Sequence, residues 1–89
     1  MTPIRFGDEV ARARTDGRPL VALETTIVSH GMPWPENFET ALAVEATVRA
    51  AGAVPASIAI LDGAVRVGLG AAELERLARA GDVLKLSRA

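Results

Sequence analysis

One continuous apolar run constrains the fold more than any other part of the 89-residue sequence: Leu20-Val21-Ala22-Leu23. A turn signal at Gly17, Arg18 and Pro19 precedes this run, and Glu24 ends it abruptly. Consecutive apolar residues without alternation are typical of a strand that is buried on both faces of a sheet. Such a strand needs other elements on each of its faces, so the sequence predicts an α/β fold.

Helical and strand patterns alternate along the rest of the chain. They predict helices over 8–15, 35–51 and 71–80, strands over 56–61, 64–68 and 83–86, and a tight hairpin turn at Asp62-Gly63. Gly81 is the predicted end of the third helix. The order helix, strand, helix, hairpin, helix, strand implies helices that cover a mostly apolar sheet.

Charge and composition argue against several classes of function. Ten basic and eleven acidic residues give a net charge of -1, without the basic surplus that nucleic-acid backbones require. The chain has no cysteine, so it forms no disulfide bond and no thiolate metal site. Its first five residues lack the apolar core of a signal peptide. The sequence therefore predicts a soluble cytoplasmic protein with no nucleic-acid or membrane partner.

Glu24 is the first candidate site residue. Ligands of open α/β sheets bind at the carboxyl ends of strands, where Glu24 is predicted to lie. A carboxylate that emerges from a buried strand is partly desolvated and suited to deliver a proton. A structural role, in which Glu24 bonds loop amides or pairs with an arginine, also fits this position. Spacing alone leaves both interpretations open.

Lys85 is the second candidate and the only lysine of the chain. It stands close to Ser87 and Arg88, and on the predicted last strand Lys85 and Ser87 share one face. Two cations and a hydroxyl suit a phosphate or another oxyanion. Edge strands also carry cations that discourage aggregation, so the structural alternative stays open here too.

A polar loop follows Glu24 and carries Thr25, Thr26, Ser29 and His30. These hydroxyls and the imidazole can bind a sugar or a phosphate, or they can fix the loop through its own backbone. A single histidine cannot build a metal cluster, so no metal ligand is predicted within the chain.

Several longer stretches are distinctive enough to indicate a family. They are VALETTIVSHGMP at 21–33, Glu39-Thr40-Ala41, GAVPASIAILDG at 52–63, Val67-Gly68-Leu69 and Lys85-Leu86-Ser87-Arg88. Together they resemble the N-terminal part of pseudouridine-5'-phosphate glycosidases over nearly all of the chain.

The resemblance implies a fold and a reaction. The fold is an incomplete α/β/α layered domain with a mixed sheet, in which residues 1–89 are the N-terminal portion of a single glycosidase domain truncated at its C-terminus. The reaction is the reversible cleavage of the carbon-carbon glycosidic bond of pseudouridine 5'-phosphate to uracil and ribose 5-phosphate, with manganese. Glu24 matches the glutamate that handles the proton, and Lys85 matches a lysine that binds the substrate through its phosphate.

The resemblance also implies what these residues do not supply. The nucleophilic lysine and the metal-binding aspartate of the family fall beyond the end of this sequence, and the complete enzymes are longer chains that assemble as homotrimers. The chain alone is therefore expected to be inactive. The alternative, from a different functional class, is a noncatalytic phosphate-binding or assembly module derived from the family.

Overall fold

A computed structural model of the protein describes residues 3–25 and 32–88, with the backbone alone for 81–88. The described residues form three helices and four strands. In chain order these are β1 (Ile4–Phe6), α1 (Asp8–Asp16), β2 (Leu20–Glu24), α2 (Glu36–Ala50), β3 (Val54–Leu61), β4 (Ala64–Val67) and α3 (Ala71–Arg88).

The four strands form one mixed sheet in the order β1-β4-β3-β2. β3 and β4 are the predicted antiparallel hairpin, and Asp62 and Gly63 in its turn have φ angles of 52° and 78°. Positive φ at both turn residues matches the twist of the flanking strands. β2 runs parallel to β3, and β1 runs parallel to β4. The mixed sheet expected from the resemblance is therefore confirmed.

Helices cover both faces of this sheet. On one face, Val10 of α1 is buried in a cluster with Val54 and Ala56 of β3. Ser57 lies on the opposite face, because successive strand residues alternate, and its hydroxyl donates a hydrogen bond to Glu45 of α2. This arrangement is the three-layer α/β/α architecture that was expected.

α2 packs against α3 through polar as well as apolar groups. Asn37 of α2 is fully buried, and its Nδ2 donates a hydrogen bond of 3.0 Å to the carbonyl oxygen of Ala78. Leu74 of α3 is buried too. Val44 of α2 is exposed while Glu45 beside it is buried, so the covered side of α2 is not purely apolar.

The end of the chain differs from the sequence prediction. α3 continues through Gly81 to Arg88, so the predicted helix end at Gly81 and the predicted strand over 83–86 are wrong. Leucine and lysine are good helix formers, and one interior glycine costs only about 1 kcal/mol relative to alanine. Four alternating residues are too few to separate a strand from a turn of helix. The shared strand face of Lys85 and Ser87 is therefore wrong as well.

The burial of β2 also differs from its prediction. Its apolar run predicts burial on both faces, but β2 is the outer strand, and Leu20 and Val21 are 38% and 39% exposed. Ala22 is exposed as well. The other edge of the sheet is β1, which the sequence pattern does not predict because three residues are too few to show a period.

Candidate functional site

Glu24 lies at the carboxyl end of β2, where the sequence predicts it. Its register partner on β3 is Ile58. Thr25 follows directly, and its Oγ1 donates a hydrogen bond of 2.8 Å to the carbonyl oxygen of Ile58. This bond ties the chain after Glu24 to the neighbouring strand and thereby fixes where β2 ends.

A cavity of about 210 Å³ includes Glu24 in its wall and is called the Glu24 cavity below. Its walls come from β2, the segment after it, α2 and β3. The lining residues are Leu23, Glu24, Thr25, Thr40, Ala41, Val44 and Ser57. Three hydroxyl-bearing residues among apolar ones form a lining that suits a small hydroxylated ligand. Glu24 contributes to the rim of this cavity, and its register with Ile58 directs its side chain toward the other face of the sheet.

The Glu24 side of this cavity is open. Glu24 is exposed, so the expectation that it is partly desolvated is wrong for the residues that the structure describes. The cause is its strand, because β2 is the edge of the sheet and no described strand lies beyond it. The general-acid role expected from the sequence therefore depends on a further surface that covers this edge.

A buried carboxylate stands behind the cavity. Ser57, a lining residue, donates a hydrogen bond of 2.7 Å to Oε2 of Glu45, and both residues are at most 5% exposed. Nη2 of Arg49 lies 3.5 Å from Oε1 of the same carboxylate. Glu45 is the neighbour of Val44 in α2, so these contacts set how closely this part of α2 approaches β3.

Arg49 extends this network to α1. Its guanidinium donates two hydrogen bonds to Glu9, of 3.0 and 2.8 Å. The hydrogen bond from Arg49 lowers the pKa of Glu9 below its ordinary value, and the same bond raises the pKa of Arg49. Sequence reasoning missed this network. The spacing of Glu45 and Arg49 by four residues on one helix was an available signal, whereas the contact with Ser57 has no signature in the sequence.

A larger cavity, of about 400 Å³, lies where β4 ends and where α1 and α3 begin. Its charged lining groups are Asp8, Glu9, Glu45, Arg49, Arg66 and Glu73. Both guanidinium groups are engaged, Arg49 with Glu9 and Arg66 with Glu73. With four carboxylates against two paired cations, this lining does not favour a phosphate, and the Glu24 cavity is the better candidate for a sugar-phosphate ligand.

The other predicted site groups lie outside what the structure describes. Lys85 belongs to α3, but its side chain is among those of 81–88 that are not described. Thr26, Ser29 and His30 fall in the gap between 25 and 32. The phosphate-binding role expected of Lys85 therefore stays a prediction.

The described residues lack a metal cluster and a membrane-spanning helix. No group of three or more histidine, cysteine, aspartate or glutamate side chains there is arranged to hold a metal ion. No helix in that part of the chain has the length and apolar character required to cross a membrane.

The chain matches a known family over most of its length. A family described as Indigoidine synthase A like protein matches residues 9–89. The chain belongs to this family. The distinctive stretches at 21–33 and 52–63 both lie within this match.

Curated relatives of the chain include pseudouridine-5'-phosphate glycosidases. The chain is 64% identical over 87 residues to a pseudouridine-5'-phosphate glycosidase of Jannaschia sp. (strain CCS1), and the match covers 98% of this chain and 29% of that protein. It is 56% identical over 89 residues to pseudouridine-5'-phosphate glycosidase 1 of Rhizobium johnstonii, covering 100% of this chain and 28% of the relative. The resemblance to these glycosidases is confirmed, and the chain spans less than a third of the length of either relative.

Two solved structures share the fold. An indigoidine synthase A-like protein from Thermotoga maritima is 32% identical, with a TM-score of 0.72 over 89% of this chain and 25% of that one. The prealnumycin C-glycosynthase AlnA, in complex with ribulose 5-phosphate, is 40% identical, with a TM-score of 0.70 over 88% of this chain and 24% of that one. In each solved structure the matching part is about a quarter of the chain.

Proposed function

We propose that this chain supplies the Glu24 part of the active site of a pseudouridine-5'-phosphate glycosidase. The observation that carries the proposal is the position of Glu24, at the carboxyl end of β2 and in the wall of a cavity, in a chain 64% identical to a protein of that name. Carboxyl ends of strands are where α/β sheets bind their ligands. The solved relative AlnA, whose ligand is ribulose 5-phosphate, makes a sugar phosphate a chemically consistent class of ligand.

Glu24 is the proton-transfer group of the proposed reaction. When the carbon-carbon bond breaks, its electron pair goes to the uracil carbon, which must gain a proton before uracil leaves. C1 of the ribose, which loses that pair, gains the oxygen of a water molecule over the complete reaction, so ribose 5-phosphate is the second product. A carboxylic acid within hydrogen-bonding reach can deliver this proton and take it back in the reverse direction. The hydroxyl-bearing residues Thr25, Thr40 and Ser57 line the same cavity and are suited to orient the ribose.

Lys85 is proposed to bind the phosphate of the substrate. An ammonium group is a compact point charge that suits a phosphate oxygen. As the only lysine in the chain, Lys85 has no neighbouring lysine that could replace it. Because it is proposed as a binding group, the covalent step on a lysine belongs to another part of the family polypeptide.

Manganese, a homotrimeric assembly and a cytoplasmic location complete the proposal, all of them by resemblance. The described residues do not form a metal cluster, so they do not fit a manganese site, and we derive no step from the metal. Its ligands would come from other parts of the polypeptide.

The test compares this chain with a fusion that adds the remaining polypeptide of the Jannaschia relative after Ala89. Both are incubated with uracil, ribose 5-phosphate and manganese, and pseudouridine 5'-phosphate is measured. We expect no turnover from the 89-residue chain and turnover from the fusion. In the fusion, Glu24→Gln should lower kcat by at least about a hundredfold with little change in KM, since general acid catalysis contributes about 10²–10⁴ in rate.

The matched control in the fusion is Glu39→Gln, an exposed acid in the first turn of α2 that does not line the Glu24 cavity. Its kcat should stay close to that of the parent fusion. Equal and small effects of both substitutions would contradict the role of Glu24. A fusion that binds ribose 5-phosphate without turnover would instead favour the noncatalytic phosphate-binding module, for which the exposure of Glu24 is the supporting observation.

A further inference from the structure

Two arginines lie side by side on β1 and β4, at the edge of the sheet that is opposite β2. Arg5 is the register partner of Arg66, so the two side chains leave the sheet on the same face. Like charges in such a cross-strand pair repel each other and destabilise the sheet. The pair therefore requires compensating negative charge.

Of the two arginines, only Arg66 pairs with a carboxylate of the described chain. Its Nη1 forms an ion pair with Oε2 of Glu73 on α3, while its Nε is buried without a hydrogen-bond partner. Arg5 is exposed, and among the described residues it forms neither an ion pair nor a side-chain hydrogen bond. A guanidinium carries five N–H donors in a fixed fork, so most donors of this pair have no protein acceptor.

The acids near the pair already have partners. Oε1 of Glu73 accepts a hydrogen bond of 3.0 Å from the amide of Gly70, just before α3. Asp62, in the hairpin turn, accepts hydrogen bonds of 2.6 and 2.8 Å from Arg76 through both of its oxygens. Both carboxylates are thus engaged elsewhere, and the charge of Arg5 stays uncompensated.

A cavity of about 280 Å³ opens beside the two arginines. Its lining residues are Arg5, Leu61, Asp62, Ala64 and Arg66. Because one water occupies about 30 Å³ in the liquid, this cavity has room for a tetrahedral oxyanion and several waters. Its two cations outnumber its single carboxylate, whereas carboxylates dominate the larger cavity where α1 and α3 begin. Guanidinium groups match phosphate oxygens through paired N–H donors.

We propose that Arg5 and Arg66 form a binding site for a small oxyanion of the phosphate type. The anion accepts hydrogen bonds from both guanidinium groups and removes their mutual repulsion. Glu73 holds Arg66 in position, and Arg76 neutralises the carboxylate of Asp62 that also lines the cavity. The site lies at the β1 edge of the sheet, so it does not depend on the role proposed for Glu24.

The test is a titration of the 89-residue chain with inorganic phosphate, followed through the NMR signals of the arginine Nε–H groups. Ionic strength is held constant with chloride, because added salt alone screens exposed charges. We expect the signals of Arg5 and Arg66 to shift together and to saturate. The signal of Arg12 on α1, which is also exposed and without an ion pair among the described residues, should stay in place.

A second titration, with ribose 5-phosphate, distinguishes two sources of the same chemistry. Saturation by both ligands supports a site for phosphate groups in general. Saturation by inorganic phosphate alone supports a site for the free ion.

Arg5→Gln is the most informative variant, since it removes one charge at an exposed position and leaves the ion pair of Arg66 intact. It should weaken phosphate binding at least about tenfold, whereas the matched Arg12→Gln should change it by less than about twofold. Arg66→Lys keeps a charge for Glu73 but lacks the guanidinium fork, so it should also lose binding.

Urea unfolding of the same variant gives a second readout. In chloride, Arg5→Gln should unfold at the same urea concentration as the parent chain or at a higher one, because the repulsion within the pair is gone. In phosphate the order should reverse, since only the parent chain gains stability from the bound ion.

Several results would overturn the proposal. A shift that rises with phosphate without saturating, or that Arg12 shares, would assign the effect to general screening. Equal binding by the parent chain and Arg5→Gln would leave Arg5 only the role of a charge that protects an edge strand. If the spectrum shows that the 89-residue chain is unfolded, the titrations are made on the fusion with the Jannaschia relative, where the same results overturn the proposal equally.

Discussion

Glu45 lies against the middle of the sheet and Glu24 lies on its edge, and the two glutamates differ in their exposure to solvent. Glu45, against β3, is 5% exposed; it accepts one hydrogen bond from Ser57 and forms an ion pair with Arg49. Glu24, on β2, is exposed beside a cavity. A buried carboxylate with satisfied oxygens holds elements together, whereas an accessible one beside a cavity is free to act on a ligand. Burial, more than residue type, separates structural from functional carboxylates here.

The largest expected effect comes from making the same substitution in both regions. Val54 on β3 is 1% exposed, and Val21 on β2 is 39% exposed. Val54→Ala removes two buried methyl groups and leaves a cavity, so the free energy of unfolding should fall by about 2–3 kcal/mol. Val21→Ala should lower it by less than about 0.5 kcal/mol, because its side chain remains in contact with solvent.

Urea unfolding measures both variants of the 89-residue chain. The fluorescence of Trp34, which stacks on Phe38 with ring centres 5.6 Å apart, reports the transition. Equal losses in the free energy of unfolding for Val54→Ala and Val21→Ala would show that β2 is covered in solution. Such a result would contradict the difference in burial between β2 and β3.

The second prediction concerns the hydrogen bond behind the Glu24 cavity. Ser57→Ala removes the hydroxyl that donates to Oε2 of the buried Glu45 carboxylate and leaves only its contact with Arg49. Hydrogen bonds to charged groups contribute about 1.5–3 kcal/mol, so the free energy of unfolding should fall by about 2 kcal/mol. Thr47→Ala is the matched control, because the Thr47 hydroxyl bonds the Ala43 carbonyl oxygen at an exposed position. Its effect should stay within about 0.5 kcal/mol. Similar effects from both variants would mean that burial does not distinguish the two hydroxyls.

The sequence predicted local features better than the neighbours of each element. The hairpin at Asp62-Gly63 and the strand that ends at Glu24 were predictable because turn chemistry and apolar runs are local signals. The burial of β2 was not predictable, because strands distant in sequence decide whether a given strand lies at the edge or at the centre of its sheet. The continuation of α3 through Gly81 shows the same limit, since a short alternating segment fits a strand or a helix until its packing is known.

The candidate site was predictable only in part, for a related reason. The position of Glu24 followed from the end of an apolar run, and its role followed from the resemblance. The support of Glu45 by Ser57 depends on packing of α2 against β3, which no spacing in the sequence encodes. Lys85 stays a prediction, because its side chain is outside the described part of the chain.

The smallest expected effect is a pH dependence in the network that extends from Glu45 to α1. Arg49 lowers the pKa of Glu9 below its ordinary value of 4.5, so the pair stabilises the fold above that pH and loses its contribution as the pH falls through the lowered pKa. Both side chains are 47% exposed, and such screened pairs contribute only about 0.2–1 kcal/mol. Glu9→Gln should therefore be destabilising at neutral pH, and this difference should shrink below pH 4.5.

Asp8→Asn is the matched control, since Asp8 is also an acid of the first turn of α1 but does not bond Arg49. Urea unfolding at both pH values separates the pair from the helix dipole, and an equal pH dependence of the two variants would assign the effect to the dipole alone.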